Sequence, residues 1–328
     1  MEAVQTKSRL KGAIETRIGG RSENQDYYGY CDTPLGFAVT VCDGMGGMQG
    51  GQIASSVAVS SILSSLLAAE TLESDVEIIK RAIRKANRDV IDAAAAHGIS
   101  GMGTTLTLLV INDRCAMVTH LGDSRVYQLR GHDKHFRTFD HSMVFEMVRS
   151  GVLTEEQARL SENSNIITNG LGIFPDVDPE VFVLPYESGD RFALCSDGIW
   201  GTMKETDLLS LLTERTDLGS VVQKVADRVD GLGHSKGGHH DNMTLALIQV
   251  ETSSKLKEEM TKKSKIIIGV LAGLLLLSAA GNVAQLCLRD SKDVQTVEAV
   301  PENAPENGAA SEDLTGEESP LDQEGEKE

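Results

Sequence analysis

Aromatic residues make up only 4 % of the 328 residues, and there is a single tryptophan. Few rings are therefore available to stack on bases or sugars. Bases are scarce as well: 31 Lys and Arg stand against 49 Asp and Glu, a formal charge of -18. A phosphate backbone is held by Lys and Arg, so this balance argues against a nucleic-acid partner. The five cysteines (Cys31, Cys42, Cys115, Cys195 and Cys287) are odd in number and widely spaced, and four lie in apolar runs. They exclude a disulfide scaffold and fit buried thiols in a reducing compartment. No apolar stretch precedes residue 35, so no secretory leader is expected. Apolar residues reach 40 %, enough for a sizeable core in one large domain or two small ones.

The charge is unevenly placed. Residues 289–328 hold 13 acids and 3 bases, a net of -10, which leaves an ordinary -8 for the rest. That stretch carries Pro301, Pro305 and Pro320 with almost no large apolar residue, and so reads as a disordered acidic tail. Just before it, residues 266–288 form an uncharged run of 23 residues. As a helix this run would span about 34 Å, against a hydrocarbon core of about 30 Å. Ser278, Asn282 and Gln285 weaken its second half and keep a buried or interfacial helix open as the alternative. Lys255, Lys257, Lys262, Lys263 and Lys265 precede the run, and only Arg289 and Lys292 follow closely. The positive-inside rule then places the N-terminal side in the cytoplasm. The expected organisation is a folded cytoplasmic domain over 1–252 and a basic juxtamembrane linker over 253–265. A single transmembrane helix over 266–288 anchors the chain in the cell membrane, with the acidic tail, 289–328, outside.

Within the first 250 residues short β-rich runs alternate with helical stretches. Strands are expected over 37–41, 104–111, 115–120, 125–129, 181–184, 191–195 and 244–250. Their short connections favour antiparallel pairing, with Asn112-Asp113 as a hairpin turn. Helices are expected over 51–69, 75–97, 205–213 and 220–229. The second begins with a capping box, Ser74 and Glu77, and carries Val76, Ile79, Ile83, Ala86 and Val90 at helical spacing. The pattern predicts an α+β domain with sheet packed on sheet.

Three apolar runs end in Asp followed by a small residue: at Asp43-Gly44, Asp123-Ser124 and Asp197-Gly198. Asp241 opens the last strand, and Asp26 closes an Arg-Ser-Glu-Asn-Gln-Asp stretch. One such Asp marks a turn. Several at the rims of separate strands repel one another if the rims meet, unless a cation lies between them. Ligands that are all aspartate suit Mg²⁺ or Mn²⁺ rather than zinc. Two such ions suit hydrolysis of a phosphate ester, because they lower the pKa of a shared water and neutralise phosphoryl oxygens. Arg21, just upstream of Asp26, offers a guanidinium fork for a phosphate, or else a surface ion pair. His234, His239 and His240 fall in a Gly-rich stretch and read as a solvated loop. There is no GxxxxGK[ST] loop and no G-x-S-x-G elbow.

Seven stretches in order resemble the metal-dependent type-2C Ser/Thr protein phosphatase family, in its bacterial form. They are RSENQD (21–26), VCDGMGG (41–47), GTT (103–105), LGDSRVY (121–127), FDHS (139–142), LCSDG (194–198) and DNMT (241–244). GVLTEEQA (151–158) is similar to part of the family's flap. The resemblance covers about residues 10–250. It implies an α-β-β-α sandwich, two antiparallel sheets flanked by helix pairs. It also implies metal-dependent hydrolysis of phosphoserine and phosphothreonine on proteins, opposing Ser/Thr kinases. By the resemblance, Asp43 bridges two Mn²⁺ or Mg²⁺ ions, Asp197 and Asp241 complete the first site, and the Gly44 carbonyl holds the second. Asp123 resembles the ligand of a third ion. Arg21 binds the substrate phosphate, Asp26 holds a water on the metal, and Asn242 orients the turn at Asp241. Three positions depart from common family patterns: Gln25 before Asp26, Gln52 after Gly51, and Met45, which cannot donate a proton as a His there would. A catalytically silent phosphoprotein-binding module is the alternative, and the full set of acids weighs against it.

Overall fold

The computed structural model describes residues 1–70 and 73–251. The chain divides into two units, Met1–Glu259 and Met260–Glu328, and every described residue falls in the first. The expected linker, membrane span and acidic tail lie outside the described residues. The chain opens with β1 (Glu2–Ala3), β2 (Leu10–Arg17), β3 (Asp26–Thr33) and β4 (Gly36–Met45). Two long helices follow, α1 (Gly47–Leu67) and α2 (Asp75–His97). Next come β5 (Gly103–Thr104), β6 (Leu106–Ile111), β7 (Ala116–Leu121), β8 (Arg125–Arg130) and β9 (Asp133–Arg137). Short helices α3 (Met143–Arg149) and α4 (Glu155–Arg159) precede β10 (Phe182–Leu184) and β11 (Arg191–Cys195). The domain closes with α5 (Asp197–Trp200), α6 (Glu205–Leu212), α7 (Leu218–Ser235) and β12 (Met243–Val250).

Two antiparallel sheets result, ordered β1-β2-β12-β11-β8-β9 and β10-β7-β6-β4-β3, with β5 added beside β4. Several central strands are apolar at both parities, so both of their faces are covered. In β4, Phe37, Val39 and Val41 join Ile14, Leu109, Phe192 and Ile248 in the core between the sheets. Ala38 and Cys42 point the other way, into a core made with Ile62, Leu66, Ile79 and Ile83 of α1 and α2. Likewise Ala193, Cys195, Leu245 and Leu247 meet Val222, Val225 and Val229 of α7. The expected α-β-β-α layering is observed. Helix α2 has the expected bounds: Ser74 accepts from the Glu77 amide at 3.3 Å, and Gly98, in the left-handed region at φ 65, ends it. Asn112 Oδ1 caps the β6–β7 hairpin by accepting from the Arg114 and Cys115 amides.

One described helical stretch, Gln49–Leu67 within α1, is long and apolar enough to cross a membrane. It is a core helix, with half of that stretch buried. Strands β2, β3 and β9 were not expected. They are half-buried or edge strands whose sequences mix charge with apolar residues, as in Leu-Lys-Gly-Ala-Ile-Glu-Thr-Arg of β2. The run expected over 104–111 is broken at Thr105, whose amide turns to the Asp43 carbonyl at 2.9 Å.

One buried ion pair holds the second sheet–helix layer together. Arg125 grips Asp140 with both arms, Nε to Oδ1 at 2.8 Å and Nη2 to Oδ2 at 2.7 Å. The guanidinium lies 3.5 Å from the centre of the Trp200 ring, and Trp200 Nε1 donates to the Asp123 carbonyl at 2.9 Å. Removing one partner of such a pair leaves the other charge buried and alone, at a cost of about 3–5 kcal/mol. Arg125→Met should therefore lower the urea midpoint by an amount equivalent to that loss, with an unchanged slope. A loss below about 1 kcal/mol would mean that the pair is no better than a surface one.

Candidate metal centre

Antiparallel register carries the acids to one end of the sandwich. Asp26 and Asp43 stand opposite each other across β3 and β4, and Arg17 of β2 stands opposite Met243 of β12. Asp197 follows β11 after Ser196 and opens α5, while Asp241 sits two residues before β12. Asp123 lies in the turn between β7 and β8. Two glycines let backbones close at this end. A Cβ at Gly44 would stand 2.0 Å from the Gly51 carbonyl oxygen, and one at Gly198 would stand 1.9 Å from that of Asn242.

The sheets are joined here by polar contacts. Ser196 Oγ donates to Asp26 Oδ2 at 2.7 Å and accepts from the Thr244 amide at 3.0 Å. Thr105 Oγ1 accepts from the Asp43 amide at 2.9 Å and bonds Ser124 Oγ at 2.7 Å. Asn242 ties down the 18–25 segment. Its Oδ1 accepts from the Gln25 amide, and its Nδ2 donates to the Ile18 and Glu23 carbonyls, each at 2.8 Å. The role expected of Asn242 was to orient the turn at Asp241; its side-chain contacts run instead to the 18–25 segment. Ser196, Thr105 and Ser124 were not singled out as site residues, although each lies inside a quoted motif. Their signal is weak because a buried hydroxyl next to an Asp is as common in turns.

Electrostatically the rim is under strain. Burial pushes the Asp26 carboxyl up to about 7, and the charges of Asp197 and Asp241 add to it, against the Ser196 and Thr244 hydrogen bonds. Asp197 rises to about 6, through burial and then Asp241, opposed by a hydrogen bond with Asp43 and by Arg21. Asp43 is held well above the usual carboxylate range by burial and then by Asp26, Asp197, Asp123 and Asp241. Asp123 is raised by burial and then by Asp197 and Asp140. Asp26 Oδ1 and Asp197 Oδ1 are buried with no hydrogen-bond partner. Orphaned carboxylate oxygens facing other carboxylates are what a hard divalent cation satisfies, so the donor set fits Mg²⁺ or Mn²⁺.

Arg21 is placed at the edge of this cluster, where Nη2 holds Asp241 Oδ2 at 2.7 Å. The two side chains are 54 % and 40 % exposed, so the pair is weak and exchangeable. Asp123 is coupled to the cluster by charge, raising Asp43 and being raised by Asp197. A large cleft among the described residues lies elsewhere, lined by Leu10, Thr33, Gly36, Arg114 and Val250 at the opposite ends of the same strands. The chemistry, not the cavity size, identifies the site.

These raised carboxyls set a pH dependence. For Asp26 and Asp197 the folded-state values, about 7 and about 6, exceed the unfolded ones, so their contribution to stability is full below about pH 4 and is lost as pH rises through about 6–7. Metal binding requires the ionised forms and works in the opposite direction. The chain in EDTA should therefore lose thermal stability between about pH 5 and pH 8. Mg²⁺ or Mn²⁺ at a hundred times its dissociation constant should add about 2.7 kcal/mol near neutrality and much less near pH 5. Melting curves that ignore both metal and pH would contradict the assignment of the rim.

The description "Protein phosphatase 2C" belongs to the family model that matches residues 15–235, which takes in Arg21, Asp26, Asp43, Asp123 and Asp197 and stops short of Asp241, Asn242 and Thr244. A protein of Listeria monocytogenes named serine/threonine phosphatase is 32 % identical over 244 residues, covering 72 % of this chain and 90 % of that protein. A solved serine/threonine phosphatase of S. agalactiae is 32 % identical, with a TM-score of 0.66, over 74 % of this chain and all of that one. The catalytic domain of PstP, crystallised with two manganese ions, shares the fold at a TM-score of 0.63 and 24 % identity, over 74 % of this chain and 99 % of that one. With one family model spanning both sheets and a third of the residues shared along nearly whole relatives, the chain belongs to the protein phosphatase 2C family.

Proposed function

We propose that the chain hydrolyses phosphoserine and phosphothreonine on proteins, using two Mn²⁺ or Mg²⁺ ions held at the acidic rim. The observation that carries this reading is the convergence of Asp26, Asp43, Asp197 and Asp241, from four separate stretches, with two buried oxygens left unpaired. Its serine/threonine phosphatase relatives support it. Asp43 would bridge the two ions, Asp197 and Asp241 would complete one site, and the Gly44 carbonyl would complete the other. Asp123 would hold a third, weaker ion. When bound, such ions supply a water of lowered pKa and neutralise the charge on the phosphoryl oxygens.

The remaining work belongs to the chain's own groups. Asp26, fixed by Ser196, is an acceptor that orients water beside Asp43. Arg21 exchanges Asp241 for the phosphate dianion, at little cost because the pair is exposed. Met45 has no proton to give, so the departing hydroxyl takes its proton from water or another group. The expected profile is Mn²⁺- or Mg²⁺-dependent turnover of p-nitrophenyl phosphate and phosphothreonine peptides, abolished by EDTA. Asp43→Asn, Asp197→Asn and Asp241→Asn should each lower kcat about a thousandfold, or about 4 kcal/mol of barrier, in a folded chain. Arg21→Ala should weaken substrate use without lowering Mn²⁺ affinity. Turnover that survives EDTA, or a native Asp197→Asn rate, would overturn the reading and favour a non-metal mechanism.

We also read the chain as a single-pass cell-membrane protein. Its catalytic domain (1–252) and basic linker (253–265) would lie in the cytoplasm, its span over 266–288, and its acidic tail (289–328) outside. Support comes from the uncharged run, the lysines on one side of it, and relatives matched almost to their full length while part of this chain lies beyond the match. The linker would lie against anionic headgroups, at about 1 kcal/mol per Lys, near membrane Ser/Thr kinases that the enzyme would oppose. Reporter fusions after Val250 and after Glu328 should signal from opposite sides. Two cytoplasmic signals would remove the anchor and leave the phosphatase reading intact.

A further inference from the structure

Helix α7 ends beside the metal rim, and its last turns carry chemistry that the rim does not use. Asp230 and His234 are one turn apart on α7. The chain then reverses through Gly237 and Gly238, at φ 105 and 75, and returns His240 onto the helix. The His240 ring packs where Gly233 has no side chain: a Cβ there would stand 2.2 Å from His240 Cγ. The sequence expectation of a solvated histidine loop therefore holds for His239, fails for His234 in that this exposed residue lies on α7, and fails for His240, whose side chain is 7 % exposed. His240 Nε2 meets Asp230 Oδ1 at 2.8 Å, and the His234 and His240 rings meet edge to face with centroids 5.2 Å apart. One ligand atom from each of Asp230, His234 and His240 lies within 4.8 Å of the other two. The buried Nδ1 of His240 has no hydrogen-bond partner.

We propose that Asp230, His234 and His240 form a second metal site, for Zn²⁺ or a similar transition-metal ion, separate from the carboxylate centre. Two imidazoles and one carboxylate are the donors of borderline cations, whereas the rim offers only oxygens, so one chain sorts two classes of metal by ligand type. The carboxylate is held from outside, as such ligands usually are. Arg17 Nη1 donates to Asp230 Oδ2 at 2.7 Å, and Arg17 is itself neutralised by Glu15 and Asp227, each at 2.8 Å. Bonds of about 2.0–2.2 Å require the donor atoms to close by about an ångström. The exposed His234 at the helix end is free to make that movement and also provides the entry path. The ion would pin the 236–240 segment to α7. His240 in turn precedes Asp241, and its carbonyl accepts from the Gly20 amide at 2.9 Å. Zinc would thereby brace the loop that carries a ligand of the catalytic centre.

The site stands independently of the phosphatase reading, and its test does not use turnover. Full-length chain carrying Asp43→Asn and Asp197→Asn, dialysed against Zn²⁺ with excess Mg²⁺, should retain one equivalent of zinc by metal analysis. Adding His234→Ala should weaken that binding by more than the roughly 10–100-fold that follows loss of an outer partner. His239→Ala should leave it unchanged. In the otherwise native chain saturated with Mg²⁺, Co²⁺ should give tetrahedral visible bands that His234→Ala removes, so the proposal does not depend on folding of the double variant. Zinc stoichiometry and cobalt bands unaffected by His234→Ala, or no zinc retained at all, would overturn it.

Discussion

Mutual repulsion among buried aspartates is the constraint on which the rest of this structure depends. Asp26, Asp43, Asp123 and Asp197 are brought into one low-dielectric region, where burial raises the proton affinity of all four and the charges of neighbouring carboxylates add to it. Nothing in the fold's own energetics favours such a cluster. It persists because the hydrophobic sandwich below it is made from three continuous cores, whose burial outweighs the strain at one end. The cluster is an arrangement that a divalent cation completes.

The supports around the acids are of a different kind from the core. Ser196 joins β3 to β12, Thr105 joins β4 to Ser124, and Asn242 joins the 18–25 segment to the start of the last strand. Each is a small polar side chain making two or more short hydrogen bonds, so each fixes direction without adding charge to a region already overloaded with it. Glycine at 44 and 198 lets the backbones approach closely enough for those bonds to form. A charged support lies one layer further out: the Arg125–Asp140 pair stacks on Trp200, whose Nε1 holds the Asp123 backbone carbonyl.

Legibility from sequence followed burial. Strands covered on both faces, such as β4, β11 and β12, are unbroken apolar runs and were readable, as was α2 with its cap and left-handed glycine. Strands β3 and β9 were not, because an edge strand owes its place to backbone pairing with β4 or β8, which leaves no periodic trace in its side chains. The acids were legible one by one as apolar runs ending in Asp. Their convergence was not, since spacing along a chain says nothing about which strand ends meet. The family motifs supplied that order. The histidines show the reverse failure: a Gly-rich stretch looks solvated, yet Gly233 is the very position that lets His240 in.

Asp241 is where these influences meet. It is followed by the residue that anchors the 18–25 segment, preceded by the histidine packed on α7, and held from outside by Arg21. In the proposed site the Arg21 guanidinium and a metal ion would compete for the same Asp241 carboxylate, and Arg21 would gain a free fork once Asp241 turned to the metal. With the proposed roles of Asp241 and Arg21, cation binding and phosphate binding would be linked through one exposed ion pair: neutralising the rim would release the arginine, and a dianion arriving at the arginine would leave Asp241 to the metal. By linkage each step would favour the other. Such coupling would need no movement of the sandwich, only the rotation of two half-exposed side chains on a segment that Asn242 keeps in place.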